Sequence, residues 1–211
     1  MAKLRQAIDE ARGFLQDTVS GAYRFSDVDL TQYANDAFAL LAQHRPILFT
    51  KTAVLTLDEG AYQDPTPQLN MPPTLPPTAR STSLGIIEFL ENDQRVAVRE
   101  VDLKTMDAFR PGWPGDPLGS PINVMRPEAG DKLVFYVYPP ATAGVAMRVR
   151  HVAVTSYLID DDVDGRLVPF LPAVAAFISA KAESREVEEV GPQRKGSFEA
   201  DFLAAAGANP K

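Results

Sequence analysis

Apolar side chains change their spacing twice along the chain. At the start they recur at helical intervals: Leu4, Ile8, Ala11 and Leu15, with Lys3, Arg5, Asp9 and Arg12 between them. This predicts an amphipathic helix from Ala2 to about Asp17, broken by Ser20-Gly21. A second helix opens at Ser26-Asp27-Val28-Asp29, where a serine followed three places later by an acid is a variant of the capping box. Leu30, Tyr33, Ala34, Ala37, Leu41 and His44 share its face, and Pro46 stops it at Arg45 by disfavouring helical geometry in the preceding residue.

From Thr50 the period shortens. Thr50–Leu57 alternates and is β-branched, as a strand requires. Leu84–Leu90, Arg95–Leu103 and Leu133–Tyr138 read as further strands. In Val145–Tyr157, Val145, Met147, Val149 and His151 fall on one face and Arg148 and Arg150 on the other. With Pro139–Gly144 as the turn, Leu133–Tyr138 and Val145–Tyr157 are expected to form a hairpin. Helical spacing then returns at Leu167, Phe170, Leu171, Val174, Phe177 and Ile178, running into Ala182 and an acidic stretch at Glu183, Glu186, Glu188 and Glu189. Gly191-Pro192 interrupts. Phe198, Phe202 and Leu203 mark a last short helix that Gly207 ends.

The prolines follow the same division. None of the 18 precedes Pro46, 14 lie between Pro46 and Pro140, and four follow. Six fall within Tyr62–Ser83, which reads as a long extended loop. The expected class is α+β: a helical bundle from the N- and C-terminal helices (residues 1–46 and 159–211) with an inserted β-rich domain at 47–158.

Composition narrows the chemistry. The 211 residues suffice for a buried core. The absence of cysteine removes disulfides, thiol nucleophiles and thiolate metal sites. Two histidines, His44 and His151, are too few for a zinc or haem site built on several imidazoles. A net charge of -7 argues against affinity for a phosphate backbone. The opening MAKLRQAIDEARGFL lacks a signal peptide's apolar run, and no stretch approaches the ~20 apolar residues of a membrane span.

Asp160-Asp161-Asp162-Val163-Asp164-Gly165 matches the D-x-D-x-D-G opening of a calcium loop, with Leu167 at the apolar eighth position. Leu171 stands where that loop needs a bidentate glutamate, so an acidic turn before a helix is the competing reading. Trp113, set among Pro and Gly, is either an aromatic platform for a sugar or proline-rich peptide or a loop anchor. Arg148 and Arg150 are either solvated or meet an acidic partner. A carboxylate pair drawn from Glu88, Glu91 and Glu100 is the remaining route to an enzyme, a cell-wall hydrolase. No G-x-S-x-G, H-E-x-x-H or Walker loop is present, and no catalytic, cofactor or metal residues are assigned.

Several segments, in order, resemble the head-to-tail adaptor (connector, head completion) proteins of short-tailed bacteriophages and their relatives. Phe25-Ser-Asp-Val-Asp-Leu30 followed by Tyr33-Ala-Asn-Asp-Ala37 and Arg45-Pro46 is similar to that family's opening helix. Gln68-Leu-Asn-Met-Pro72 resembles its glutamine-to-proline turn. Val101-Asp-Leu103, Met106-Asp107 and Pro111-Gly-Trp113 resemble a strand exit. Phe135-Tyr-Val-Tyr-Pro-Pro140 resembles its strand ending in Tyr-Pro-Pro, and Phe170–Glu189 with Ser197–Gly207 resemble its closing helices. The proline-rich loop at 62–83 is longer than the family's.

The resemblance implies a virion structural protein at the head-tail junction, made in the host cytoplasm, with neither catalysis nor cofactor. It implies a homo-oligomeric ring, usually twelve-fold, that binds the portal, extends the DNA channel without binding DNA specifically, and offers a surface to a tail nozzle or tube. Carried onto this chain, the portal-interface candidates are Phe198, Phe202 and Leu203.

Overall fold

The computed structural model describes residues 2–69, 78–91, 94–127, 133–186, 200, 202–205 and 207. Helix α1 (Leu4–Phe14) buries its predicted face, Leu4, Ile8, Ala11 and Leu15, and adds Ala7. It ends short of Asp17 because Gln16 turns into the left-handed region at φ 55 and Asp17 folds back onto Arg12. Arg12 falls on the polar side of the predicted pattern, yet it is only 4% exposed. Its guanidinium donates to Asp17 Oδ2 at 2.6 Å, to the Phe25 carbonyl at 3.0 Å and to Asp27 Oδ1 at 2.7 Å. The Tyr23 ring lies 3.8 Å from it. Asp17 also accepts the Arg24 and Phe25 N–H groups, so this buried pair ties the 15–26 connection to α1.

Helix α2 (Asp27–His44) begins at Ser26, whose hydroxyl oxygen accepts the Asp29 N–H at 3.1 Å, and stops before Arg45-Pro46. Leu30, Ala34, Ala37 and Leu41 are buried together with Phe38; Tyr33 is half-buried and His44 exposed. After β1 (Thr50–Thr56) come β2 (Gly60–Gln63), α3 (Thr66–Leu69) and β3 (Thr78–Glu91). These elements occupy much of the stretch expected to be a loop; 70–77 lies outside the described residues. Two side-chain amides make this possible. Gln63 holds the N–H and C=O of Asp58, and Gln68 holds those of Thr56, in place of a neighbouring strand.

The segment expected as one strand, Arg95–Leu103, is divided into β4 (Gln94–Ala97), β5 (Arg99–Glu100) and the start of α4 (Leu103–Phe109). Asp102 caps α4 by accepting the Thr105 N–H at 2.8 Å. That bond is the first cause of the lowered pKa of the Asp102 carboxyl. Strands β6 (Asn123–Met125), β7 (Phe135–Ala141) and β8 (Ala146–Ser156) complete two four-stranded sheets, ordered β1-β8-β3-β4 and β2-β7-β6-β5.

The expected hairpin is therefore not formed. The chain leaves β7 in one sheet and enters β8 in the other, and the two strands meet across the core. Phe135 and Val137 from one side and Leu55, Phe89, Met147 and Val149 from the other bury their faces there. Proline supplies part of the reason: Pro139 and Pro140 have no N–H to donate to a ladder. Facing sheets also bury both apolar faces at once, which a hairpin confined to one sheet cannot do.

His151 lies on the buried face of β8, and Arg148 and Arg150 on the other. Burial, with Lys51 second, holds the His151 pKa below its ordinary 6.5. An unfolded chain then takes up a proton that the native one refuses, so stability falls as pH drops through 6.5. His151→Leu should flatten that part of the profile in denaturant titrations at stepped pH. An unchanged slope would mean that His151 is protonated without penalty.

In α5 (Leu171–Glu186) burial exceeds the expected stripe: every residue from Val174 to Ala180 is buried. Helices α1 and α2 both pack on it, and Phe202, in a helical turn at 202–205, sets its ring 4.9 Å from that of Phe177. Alanines at 175, 176, 180 and 182 keep α5 slim enough for neighbours on several sides. Gly207, at φ 72, closes the last turn as expected, its N–H donating to the Ala204 carbonyl at 3.0 Å.

The chain is thus α+β, and its described residues group into two compact units. One comprises the chain before Thr50 and after Ala153. The other comprises Thr50–Ala153, except Thr78 and Ala79, which group with the first. Among the described residues no helix is long and apolar enough to cross a membrane.

Candidate interaction surfaces

The acidic residues at 160–164 do not converge. Asp160 accepts from Arg5 at 2.8 and 3.4 Å, and that bond is the first cause of its lowered pKa. Asp161 accepts the Leu158 N–H at 2.7 Å, and Asp164 accepts from Arg166. Asp162 pairs through its backbone with Lys3. Among the described residues no three His, Asp or Glu side chains gather in an arrangement that could hold a metal ion. The geometry is that of an acidic turn.

Glu88 meets Arg148 at 2.6 Å, and Glu100 meets Arg126 at 3.1 Å. The Glu91 side chain lies outside the described residues. Trp113 is 2% exposed, its indole N–H donating to Asp107 Oδ1 at 2.7 Å. Tyr136 and Tyr138 meet it edge-on at 6.0 and 6.2 Å. It anchors the loop after α4 and presents no ring face to a ligand. His44, exposed, and His151, buried, stand on separate elements in separate units.

The portal-interface candidates are differently placed. Phe198 lies outside the described residues. Phe202 is 1% exposed and spent on Phe177; Leu203 is half-buried. The turn carrying them is followed by Gly207, which sits against the Arg45 guanidinium so closely that an added Cβ would collide with it.

What is left in water is more informative. In the helical unit, Val28 is 79% exposed, flanked by Asp27 and Asp29. It faces Leu158 across a groove of about 560 Å3 whose walls include Gln32, Asn35, Tyr157 and Ile159. The Asn35 side chain fixes the two walls: its Nδ2 donates to the Tyr157 carbonyl at 3.0 Å, and its Oδ1 accepts the Tyr157 N–H at 2.8 Å. In the β unit, Phe109 at the end of α4 is 86% exposed, followed by Arg110, which pairs with Asp116 at 2.7 Å. Leu118 and Ile122 are also exposed. Sequence reasoning left these residues aside. Helical phase carries a signal for Val28, which lies opposite the buried Leu30–Leu41 face; for Phe109 the sequence pattern carries none. Large apolar groups left in water mark contact surfaces more often than catalytic ones.

A search of curated proteins found no match. A family model, SU10 adaptor protein, matches residues 2–209, so it takes in both units, the acidic turn and the C-terminal segment. The chain belongs to the SU10 adaptor protein family and is a phage head-to-tail adaptor, a structural component of the virion.

Proposed function

We propose that this chain is one protomer of a closed ring, probed first as a dodecamer, that joins portal to tail and continues the DNA channel. Beyond family membership, the observation that carries this is the exposure of Phe109, Val28 and Leu158: apolar side chains of a size that identical neighbours cover when a contact repeats around a ring. In this reading the helical domain (1–46 and 159–211) meets neighbours and portal, and the inserted β domain (47–158) faces the tail nozzle or tube. The C-terminal segment with Phe198, Phe202 and Leu203 is the proposed portal contact. Because Phe202 packs on Phe177, contact through Phe202 itself requires that segment to lift away. The charge of -7 suits a channel lining over which DNA slides without being held.

Light scattering of the purified protein, alone and mixed with its portal ring, tests this. One stoichiometric species of ring plus portal is the expected result; a chain that ignores the portal at near-physiological salt sinks the reading. Phe109→Asp and Val28→Glu should each weaken assembly by about tenfold or more while the melting temperature stays within ~2 °C, because both side chains are solvated in the free protomer.

A further inference from the structure

The groove beside Val28 is walled on one side by α2 and on the other by residues 156–161, all within the helical unit. Val28, Thr31 and Asn35 recur at helical spacing along its α2 side. Helix α5 ends on a different flank of α2, where Arg185 meets Asp29 at 2.9 Å and Tyr33 at 3.3 Å. The groove walls are set in the free protomer: Asn35 grips both backbone groups of Tyr157, and Ser26 and the Arg12–Asp27 pair hold the first turn of α2. A preformed groove spares its occupant the cost of ordering it. At about 560 Å3 it has the volume of a site for a drug-sized ligand, enough for a large side chain with the backbone beside it.

The β unit carries a side chain of matching form. Phe109 ends α4, lies almost wholly in water, and is followed by Arg110 and Pro111. The charges match as well. In both ion pairs beside the groove the carboxylate is the outer member: Asp27 is more exposed than Arg12, and Asp160 more than Arg5. Beside Phe109 the order is reversed, with Arg110 more exposed than Asp116. The residue next to the apolar tip thus shows the opposite sign to the groove walls. Each of these charges keeps its own partner, so closing the groove over the tip strands none of them.

We propose that Phe109 of one protomer seats in the Val28–Leu158 groove of a second copy of this chain, with Arg110 against the acidic rim, and that this contact repeats around the ring. The inference rests on the ring reading and names the contact that closes it. A knob and a socket on different elements of one chain make a heterologous contact: each copy gives Phe109 to one neighbour and receives it from the other. Seating takes Phe109, Val28 and Leu158 out of water together, as in a hot spot where an aromatic anchor fills a pocket.

Thiol cross-linking of the full-length protein assembled on its portal is the test, because the chain has no cysteine of its own. Copies carrying Ala108→Cys are mixed with copies carrying Gln32→Cys on the groove wall, and the assembly is treated with a short bis-maleimide. Both positions are exposed and neither variant alters Phe109, Val28 or Leu158, so each should melt within ~2 °C of the parent and assemble as it does. The mixture should give about tenfold or more covalent dimer than a control in which Glu59→Cys, exposed in the β1–β2 turn, replaces Ala108→Cys. Copies carrying Ala108→Cys alone should link no better than the control; dimers from them would mean a contact of like with like and overturn the seating. A ring whose mixed copies match the control overturns the seating while leaving the ring reading intact. A Gln32→Cys thiol that is shielded in that ring without linking to Ala108→Cys gives the groove to another occupant and overturns it too. A chain that never self-associates, alone or on the portal, overturns both readings.

Discussion

Arg12→Met should lower the unfolding free energy by about 3–5 kcal/mol, read by denaturant titration followed in the far ultraviolet. The variant keeps most of the side-chain volume and removes the guanidinium that meets Asp17, a carboxylate only 6% exposed, at 2.6 Å. Two backbone N–H groups, from Arg24 and Phe25, still reach that carboxylate, but they do not replace the charge. The Phe25 carbonyl loses its guanidinium donor at the same time, and Asp27 returns to water at little cost because it is exposed. Removing the second charge as well, in Arg12→Met/Asp17→Leu, should recover part of the loss, giving a coupling of about 1–3 kcal/mol in the double-mutant cycle. A single-variant effect below about 1 kcal/mol would mean that water enters the cluster and solvates Asp17 unaided.

Trp113→Ala should cost about 3–5 kcal/mol in the β unit. The indole fills the space between the α4 exit and the Tyr136 and Tyr138 rings, and its N–H ties the loop to Asp107. Trp113→Phe separates the two contributions: it retains most of the buried area and loses the 2.7 Å bond, for an expected cost of about 1–2 kcal/mol. Near-ultraviolet dichroism of the tyrosines measures unfolding in both variants. Since Trp113 is the sole tryptophan, its fluorescence in the unaltered protein reports the β unit directly. If Trp113→Ala unfolds at the same denaturant concentration as the parent, the ring is not part of the core that its burial indicates.

Much of the helical architecture was legible because its causes are local. Ser26 and Asp29 meet within one turn, Pro46 acts on its immediate neighbour, and the Leu30–Leu41 face needs only the helical period. The strands were legible too, but not their partners. Leu133–Tyr138 and Val145–Tyr157 adjoin in sequence, yet β8 takes β1 and β3, while β7 takes β2 and β6. That choice depends on which faces can be buried together, a property of the whole unit rather than of the turn. Arg12 was misplaced for a related reason: nothing in a helical pattern shows that Asp17 and Asp27 fold back around it. Gln63 and Gln68 look like ordinary loop residues until their amides are seen gripping backbone. The candidate surfaces were the least legible of all, because Val28 and Phe109 differ from core residues only in facing outward.

The helical unit joins α1 and α2, which precede the β unit in the chain, to α5, which follows it and packs on both. On a ribosome the β unit is therefore complete before α5 has been made. Meanwhile the apolar faces of α1 and α2, with Leu4, Ile8, Leu30 and Phe38, have nothing to close on. A product of interrupted translation that stops before Leu171 would carry a finished β unit beside two uncovered helices, an obvious target for chaperone or protease. Interleaving the segments in this way makes synthesis of α5 a condition for closing the helical unit.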